Sequence, residues 1–242
     1  MQCLNCGFDT DGNFCSNCGQ KTTVEKLQLK KVISGFFSSI LNFDKGVFQN
    51  IIGLSLRPRK TVLAYLDGRR KQYLNPISYA FVMLTLLVIV NDKFADTTLM
   101  QPLSESARSN QPKYSIFEVG KQFGYILSHY FKFLWLLLIP LFAFWHWIFS
   151  PKRTFAEHFA TNAFIIGHTA LITICAFPFY NPPLYINMVL FISIFIFSTL
   201  IYFNPKKKSN IFFHLFGILV GFLSFYILPA LFIFLYYLLL AR

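Results

Sequence analysis

Four of the five cysteines stand within the first eighteen residues, as Cys3-x-x-Cys6 and Cys15-x-x-Cys18. Two such pairs bring four thiolates within tetrahedral reach of one cation. Each pair is followed by glycine, Gly7 and Gly19, which lets the backbone turn so that amide N–H groups point at the sulfurs. Four thiolates leave no open coordination position, so the spacing predicts a structural Zn²⁺ rather than a catalytic one. An iron–sulfur cluster or a redox dithiol would use the same residue type. The ribbon-like spacing and the lack of a redox fold around the pairs favour zinc. About twenty residues cannot fold on their own core, so metal binding must supply the folding energy. The fifth cysteine, Cys175, lies far away in an apolar run and is expected to be an inert buried thiol.

A second polar group is Thr154-Phe155-Ala156-Glu157-His158 with Asn162 and His168. Ionisable residues inside a membrane segment are candidates for function, which makes Glu157, His158, Asn162 and His168 the candidates for a polar site. Glu157 and His168 are about three helical turns apart and cannot touch. The competing reading is structural, and the residues favour it. Thr154-x-x-Glu157 has capping-box spacing, and His158 and Asn162 can hydrogen-bond between helices. His146 and His129 are expected at the inner and outer interfaces and His214 one turn into the last apolar run, each as an interfacial polar residue. No nucleotide-binding glycine loop, no Gly-x-Ser-x-Gly and no His-Glu-x-x-His occurs.

A third group is basic: Arg57, Arg59 and Lys60, then Arg69, Arg70 and Lys71. Topology control and attraction to anionic headgroups come first as its role, at about 1 kcal/mol per basic residue near the surface. Docking of a protein partner comes second. Nucleic acid comes last, because no aromatic stacking platform accompanies the charges.

The elements that must position these groups follow from composition. The chain of 242 residues is 55% hydrophobic and 19% aromatic, with 13% charged residues and a mean hydropathy of +0.51. A soluble domain carries about 25% charged residues, so too little polar surface is left here to cover a water-soluble fold. A soluble enzyme, a disordered chain and a secreted disulfide scaffold are excluded. The expected fold is an all-α polytopic membrane protein of about five spans with a small N-terminal zinc ribbon. The spans fall at about 73–90, 131–149, 155–177, 184–203 and 211–240. Asn75 and Pro76 suit the start of the first. Trp145 and Trp147 sit where an aromatic belt belongs. The last run is long and contains Pro229, so one tilted or kinked helix is favoured over a hairpin. Gly217 and Gly221 permit close helix approach. Residues 91–122 read as a solvated outer loop.

Residues 1–22 form the ribbon and 23–72 a set of short helices before the first span. Leu29, Val32, Ile33, Phe36, Phe37, Ile40 and Leu41 fall on one helical face. A second apolar stretch covers 47–56, and a third helix runs from Pro58 to Gly68, a C-terminal cap. They form an amphipathic collar, lying on the inner membrane surface or packed against the spans. Eleven of the 22 Lys and Arg lie in residues 1–76. The positive-inside rule then predicts a cytoplasmic N-terminus and an external C-terminus.

Several stretches resemble one known family. These are Cys3-x-Asn5-Cys6-Gly7, Phe14-Cys15-x-x-Cys18-Gly19-Gln20, Gly53-Leu54-x-Leu56-Arg57-Pro58, Tyr65-Leu66-x-Gly68-Arg69-Arg70, Tyr73-x-Asn75-Pro76 and Glu157-His158. Together they resemble a bacterial family of membrane proteins of unknown function. The resemblance covers the first ninety residues and the Glu157-His158 region. It implies a bacterial inner-membrane protein with a cytoplasmic zinc ribbon, and it implies no activity.

The expected function is therefore non-enzymatic: an adaptor or accessory subunit of a membrane complex. Its ribbon and basic collar would face cytoplasmic partners such as a ribosome or a protein-translocation complex. The rival is a membrane enzyme or transporter using Glu157, His158, Asn162 and His168. Polar side chains converging from several spans would favour the rival.

Overall fold

The computed structural model describes residues 1–40, 46–95, 135–184, 187–203 and 211–240, and these are helical outside the N-terminal module, without strands. Three short helices come first: α1 (Leu29–Ile40), α2 (Gly46–Leu56) and α3 (Pro58–Leu66). The longer apolar helices follow. They are α4 (Pro76–Phe94), α5 (Leu138–Phe149, entered by the 3-10 turn Trp135–Leu137), α6 (Phe155–Ala176), α7 (Met188–Tyr202) and α8 (Ile211–Leu240).

Among the described residues, three helices are long and apolar enough to cross a membrane: Pro76–Phe94, Phe155–Ala176 and Phe212–Phe232. Trp135–Phe149 and Met188–Tyr202 are shorter apolar helices. At 1.5 Å per residue, the fifteen residues of α7 reach about 22 Å, less than a bilayer core of about 30 Å.

Local signals set the ends of these helices. Asn75 caps α4 by accepting from the Ile77 N–H, and Pro76 occupies the first helical position. Helix α4 runs on to Phe94, past the apolar stretch, with the cation of Lys93 in its last turn, where the helix dipole favours positive charge. The expected loop at 91–122 therefore begins as helix, and from residue 96 it lies outside the described residues. Thr154 and Glu157 form the reciprocal capping box of α6. Helix α7 starts four residues later than the apolar run suggests. Pro182 and Pro183 interrupt the chain, and Asn187 supplies the cap by accepting from the Leu190 N–H. Helix α8 is continuous across Pro229, as one helix rather than a hairpin.

Helix α6 is the centre of the molecule. Most of its length is buried, and its contact with α4 is the largest between helices. Helices α5 and α7 flank it, and α8 packs on α5. Gly221 faces Phe142 so closely that a Cβ would come within 2.3 Å of the ring, and Gly217 faces Trp145 and Phe149. The glycine pair therefore serves packing within the chain. Trp145 donates its indole N–H to Ser224 Oγ at 3.0 Å and so is part of this packing, whereas Trp147 points outward.

The short helices gather at one end of this bundle. Val32 of α1 is buried while Ile33 is exposed, so α1 packs by one edge. Its carbonyls at Val32 and Phe36 accept from Asn75 Nδ2 and Ser78 Oγ of α4. Helix α2 buries Val47, Asn50 and Leu54, and leaves Phe48, Ile52 and Leu56 exposed on the opposite face.

Candidate metal centre and buried histidine clusters

The N-terminal module is built from two equivalent turns. In each, the first cysteine N–H donates to a carbonyl five residues on, Cys3 to Phe8 and Cys15 to Gln20. Its own carbonyl accepts from the glycine four residues on, Gly7 at 2.8 Å and Gly19 at 2.8 Å. Both glycines adopt positive φ, +76° and +69°, which L side chains resist. The turns face each other, with Cys3 Sγ 3.6 Å from Cys18 Sγ and Cys6 Sγ 3.6 Å from Cys15 Sγ. All four sulfurs lie within 4.8 Å of one another. A tetrahedral ion with metal–sulfur bonds of about 2.3 Å places its sulfurs about 3.8 Å apart, so the four fit one metal ion. Among the described residues no other set of three or more His, Cys, Asp or Glu side chains is close enough to share an ion.

The electrostatics ask for a cation. The Cys6 N–H is the main influence on the Cys3 thiol and holds it at about 7, well below the ordinary thiol range. The Phe8 N–H likewise lowers Cys6. The Gln20 N–H favours the Cys18 thiolate, but burial and the sulfurs of Cys6, Cys3 and Cys15 outweigh it and push Cys18 up to about 11. Four thiolates cannot be gathered without a positive charge to offset their repulsion.

The module is docked onto the basic segment. Gln20 is nearly buried, and its Oε1 accepts from the backbone N–H of both Arg70 and Lys71 at 3.2 Å. Leu4 and Val24 close over Gly68, which ends α3 at a φ of +109°. The basic residues divide by what they touch. Arg70 donates to the carbonyls of Tyr65 and Glu25 and lies over the Tyr65 ring. Arg59 donates to the Ile201 carbonyl at 3.0 Å and to that of Phe203, at the C-terminal end of α7. Arg57, Lys60, Arg69 and Lys71 make no ion pair among the described residues.

The polar residues of α6 fall into three separate places. Glu157 is taken up by the capping box. His168 belongs to a small cluster in which its Nδ1 lies 3.0 Å from the hydroxyl of buried Tyr79 and its Nε2 3.3 Å from Oγ of the exposed Ser55. It thereby joins α6 to α4 and α2.

His158 and Asn162 join a larger group drawn from four helices. His158 Nε2–H donates to the Ser150 carbonyl at 3.0 Å, which leaves Nδ1 to accept from the Tyr202 hydroxyl at 3.0 Å. Asn162 Nδ2 donates to the His158 carbonyl at 2.8 Å and to the Tyr202 oxygen at 3.3 Å. The Tyr202 ring stacks on His146 with centroids 4.3 Å apart and on His214 at 5.0 Å. His146 Nδ1–H donates to the Phe142 carbonyl at 2.8 Å, so the Asn162 nitrogen 3.4 Å away is a neighbour rather than a donor to it. His146 Nε2, Asn162 Oδ1 and His214 Nδ1 are buried without a hydrogen-bond partner among the described residues.

Three expectations are corrected here. His146 is not on the surface of the bundle: it is fully buried, because α8 and α7 close over it. His214 likewise turns inward onto Tyr202 and His146. Cys175 is exposed rather than buried, because it lies on the outward face of the last turn of α6. His129 lies outside the described residues. Tyr202, Tyr79 and Ser55 were not expected in these groups. One signal for Tyr202 is depth. His146, His158, Tyr202 and His214 all lie within about a turn of the ends of their helices nearest the N-terminal module.

A family of proteins of unknown function (DUF3667) matches residues 44–88, the stretch that holds α2, α3 and most of α4. No curated protein and no solved structure matches the chain.

Proposed function

We propose that this chain is a non-enzymatic adaptor or accessory subunit of a complex in the bacterial inner membrane. It crosses the bilayer five times, with its N-terminus in the cytoplasm and its C-terminus outside. The four cysteines hold one structural Zn²⁺, and the zinc module with its basic collar is the partner surface. One observation carries the reading. The module is fixed to the collar through Gln20, yet it leaves Phe8 (48% exposed) and Phe14 (62% exposed) uncovered among the described residues. Exposed aromatics on a rigid mount, beside Lys21 and Lys71, suit an acidic protein surface with apolar pockets. A ribosome or a protein-translocation complex fits such a location. The closed ligand set gives the metal no position for a substrate.

Partner recovery tests this. Phe8→Ser with Phe14→Ser should keep the zinc and lose the co-purifying protein. Reversal of Lys21 and Lys71 to Glu should do the same, with Arg70 left in place because its guanidinium holds the carbonyls of Glu25 and Tyr65. Loss of metal-independent function in a stable His158→Ala variant, with partner recovery intact, would sink the reading.

A second reading rests on the five-membered group His146, His158, Asn162, Tyr202 and His214. Convergence from four helices, with three polar atoms still lacking partners, favours an intramembrane polar site for a small substrate or a proton. On this reading Glu157 and His168 stand outside the site.

A further inference from the structure

A cleft of about 730 Å³ lies between the N-terminal module, α3 and the end of α7. Leu4, Leu63 and Leu200 give it an apolar floor, and Arg57, Lys60 and Arg69 stand around it. Arg59 also lines it, fixed to the α7 carbonyls, and Asp67 is the one carboxylate on its wall among the described residues. Four cations against one carboxylate leave a strong local excess of positive charge. Arg153 adds to it: after burial, its charge is the next influence lowering the pKa of Arg59, so the two guanidiniums repel each other. Arg153 Nη1 is itself buried without a hydrogen-bond partner among the described residues. Such a place attracts an anion.

The apolar surroundings say which kind. Ile192, Ile196 and Leu200 are exposed at spacings of four along α7 and form one outward stripe that ends at the cleft. Phe48, Ile52 and Leu56 form a second exposed stripe along α2, which runs directly into Arg57. A soluble acidic peptide would leave both stripes without a use. A lipid would use both, with its chains along the stripes and its phosphate at the cations.

We infer that this cleft binds one anionic phospholipid, with the phosphodiester held by Arg57, Lys60 and Arg69 and an acyl chain running past Leu200. The partner surface proposed above uses Phe8, Phe14 and Lys71, so the two sites can fail independently. Lys60 and Arg69 are the residues to vary, because neither side chain supports the fold through a hydrogen bond or ion pair among the described residues.

The test is native mass spectrometry of the full chain in a maltoside detergent, titrated with phosphatidylglycerol or phosphatidylcholine. The wild type should carry one phosphatidylglycerol per chain in clear preference to phosphatidylcholine. Lys60→Glu with Arg69→Glu should weaken that adduct by about tenfold or more. Lys26→Glu with Lys30→Glu makes the same change in net charge outside the cleft and should leave it intact. If the Glu variant does not fold, Lys60→Gln with Arg69→Gln replaces it, with a smaller loss expected. Equal binding of the two lipids, or equal loss in both charge pairs, would overturn the inference. So would complete displacement of the lipid by inorganic phosphate, which would mark an ion site without a chain, or by an acidic peptide.

Discussion

The side-chain oxygen of Gln20 lies 3.2 Å from the backbone nitrogen of Arg70, fifty positions along the chain. It accepts from Lys71 at the same distance. One nearly buried side chain thus ties the cysteine module to the turn that leads into α4. The module is a fixed part of one face of the molecule and not a tethered appendage.

Removing that tie has a defined consequence. Gln20→Ala leaves two backbone N–H groups without an acceptor, at about 1–3 kcal/mol for each that stays buried. Hydrogen exchange at Arg70 and Lys71 should quicken, and proteolysis near residue 23 should increase. The metal should remain, because Gln20 Oε1 takes no part in holding it. Unchanged exchange at both amides would show that the docking is held elsewhere, for instance by Leu4 and Val24 on Gly68.

Elemental analysis should find one zinc per chain. Cys15→Ser should release it and leave the helices inserted. Acid should release it too. The ligands are thiolates, so protons compete with the metal, and retention should fall as the pH drops toward about 5 and be fully restored above neutrality. Iron in place of zinc, or metal retention in Cys15→Ser, would contradict the assignment.

Reporter fusions test the orientation. A fusion at Lys207 should read cytoplasmic, and fusions at Ser106 and at the C-terminus should read external. A cytoplasmic C-terminus beside a cytoplasmic Lys207 would mean that the thirty-residue helix α8 does not cross the bilayer, and beside an external Lys207 that the fifteen-residue α7 does not.

The histidines of the bundle should separate by their bonds. His158→Ala strips partners from both the Tyr202 hydroxyl and the Ser150 carbonyl, and should cost about 2–4 kcal/mol in thermal unfolding. His214→Ala removes a ring whose Nδ1 has no hydrogen-bond partner among the described residues, and should cost less. The reverse order would mean that His214 is the better anchored of the two, and would call for a ligand at that end of the group.

What could be read from the chain alone was local. The paired cysteines, the Asn75 and Pro76 start and the Thr154–Glu157 box all act within four residues, and each appears in the structure at its place. The start of α7 was missed because hydropathy does not register Pro182, Pro183 or a cap at Asn187. The histidine group escaped because His146 and Tyr202 come together only through the pairing of α5, α6 and α7. Periodicity within one helix cannot choose that pairing. The same limit applies to the basic collar. Six cations look alike in sequence, but only tertiary contacts set Arg59 and Arg70 apart as structural. Cys175 shows the converse: in a membrane, an apolar run does not imply that each of its residues faces the protein core.

The most direct test of the adaptor reading places a photo-crosslinking amino acid at Phe14 and irradiates intact membranes. The reading predicts one dominant protein adduct of reproducible mass, lost when Phe8→Ser is added and retained in His158→Ala. Crosslinks to lipid or nucleic acid alone, or a protein adduct indifferent to Phe8, would contradict it.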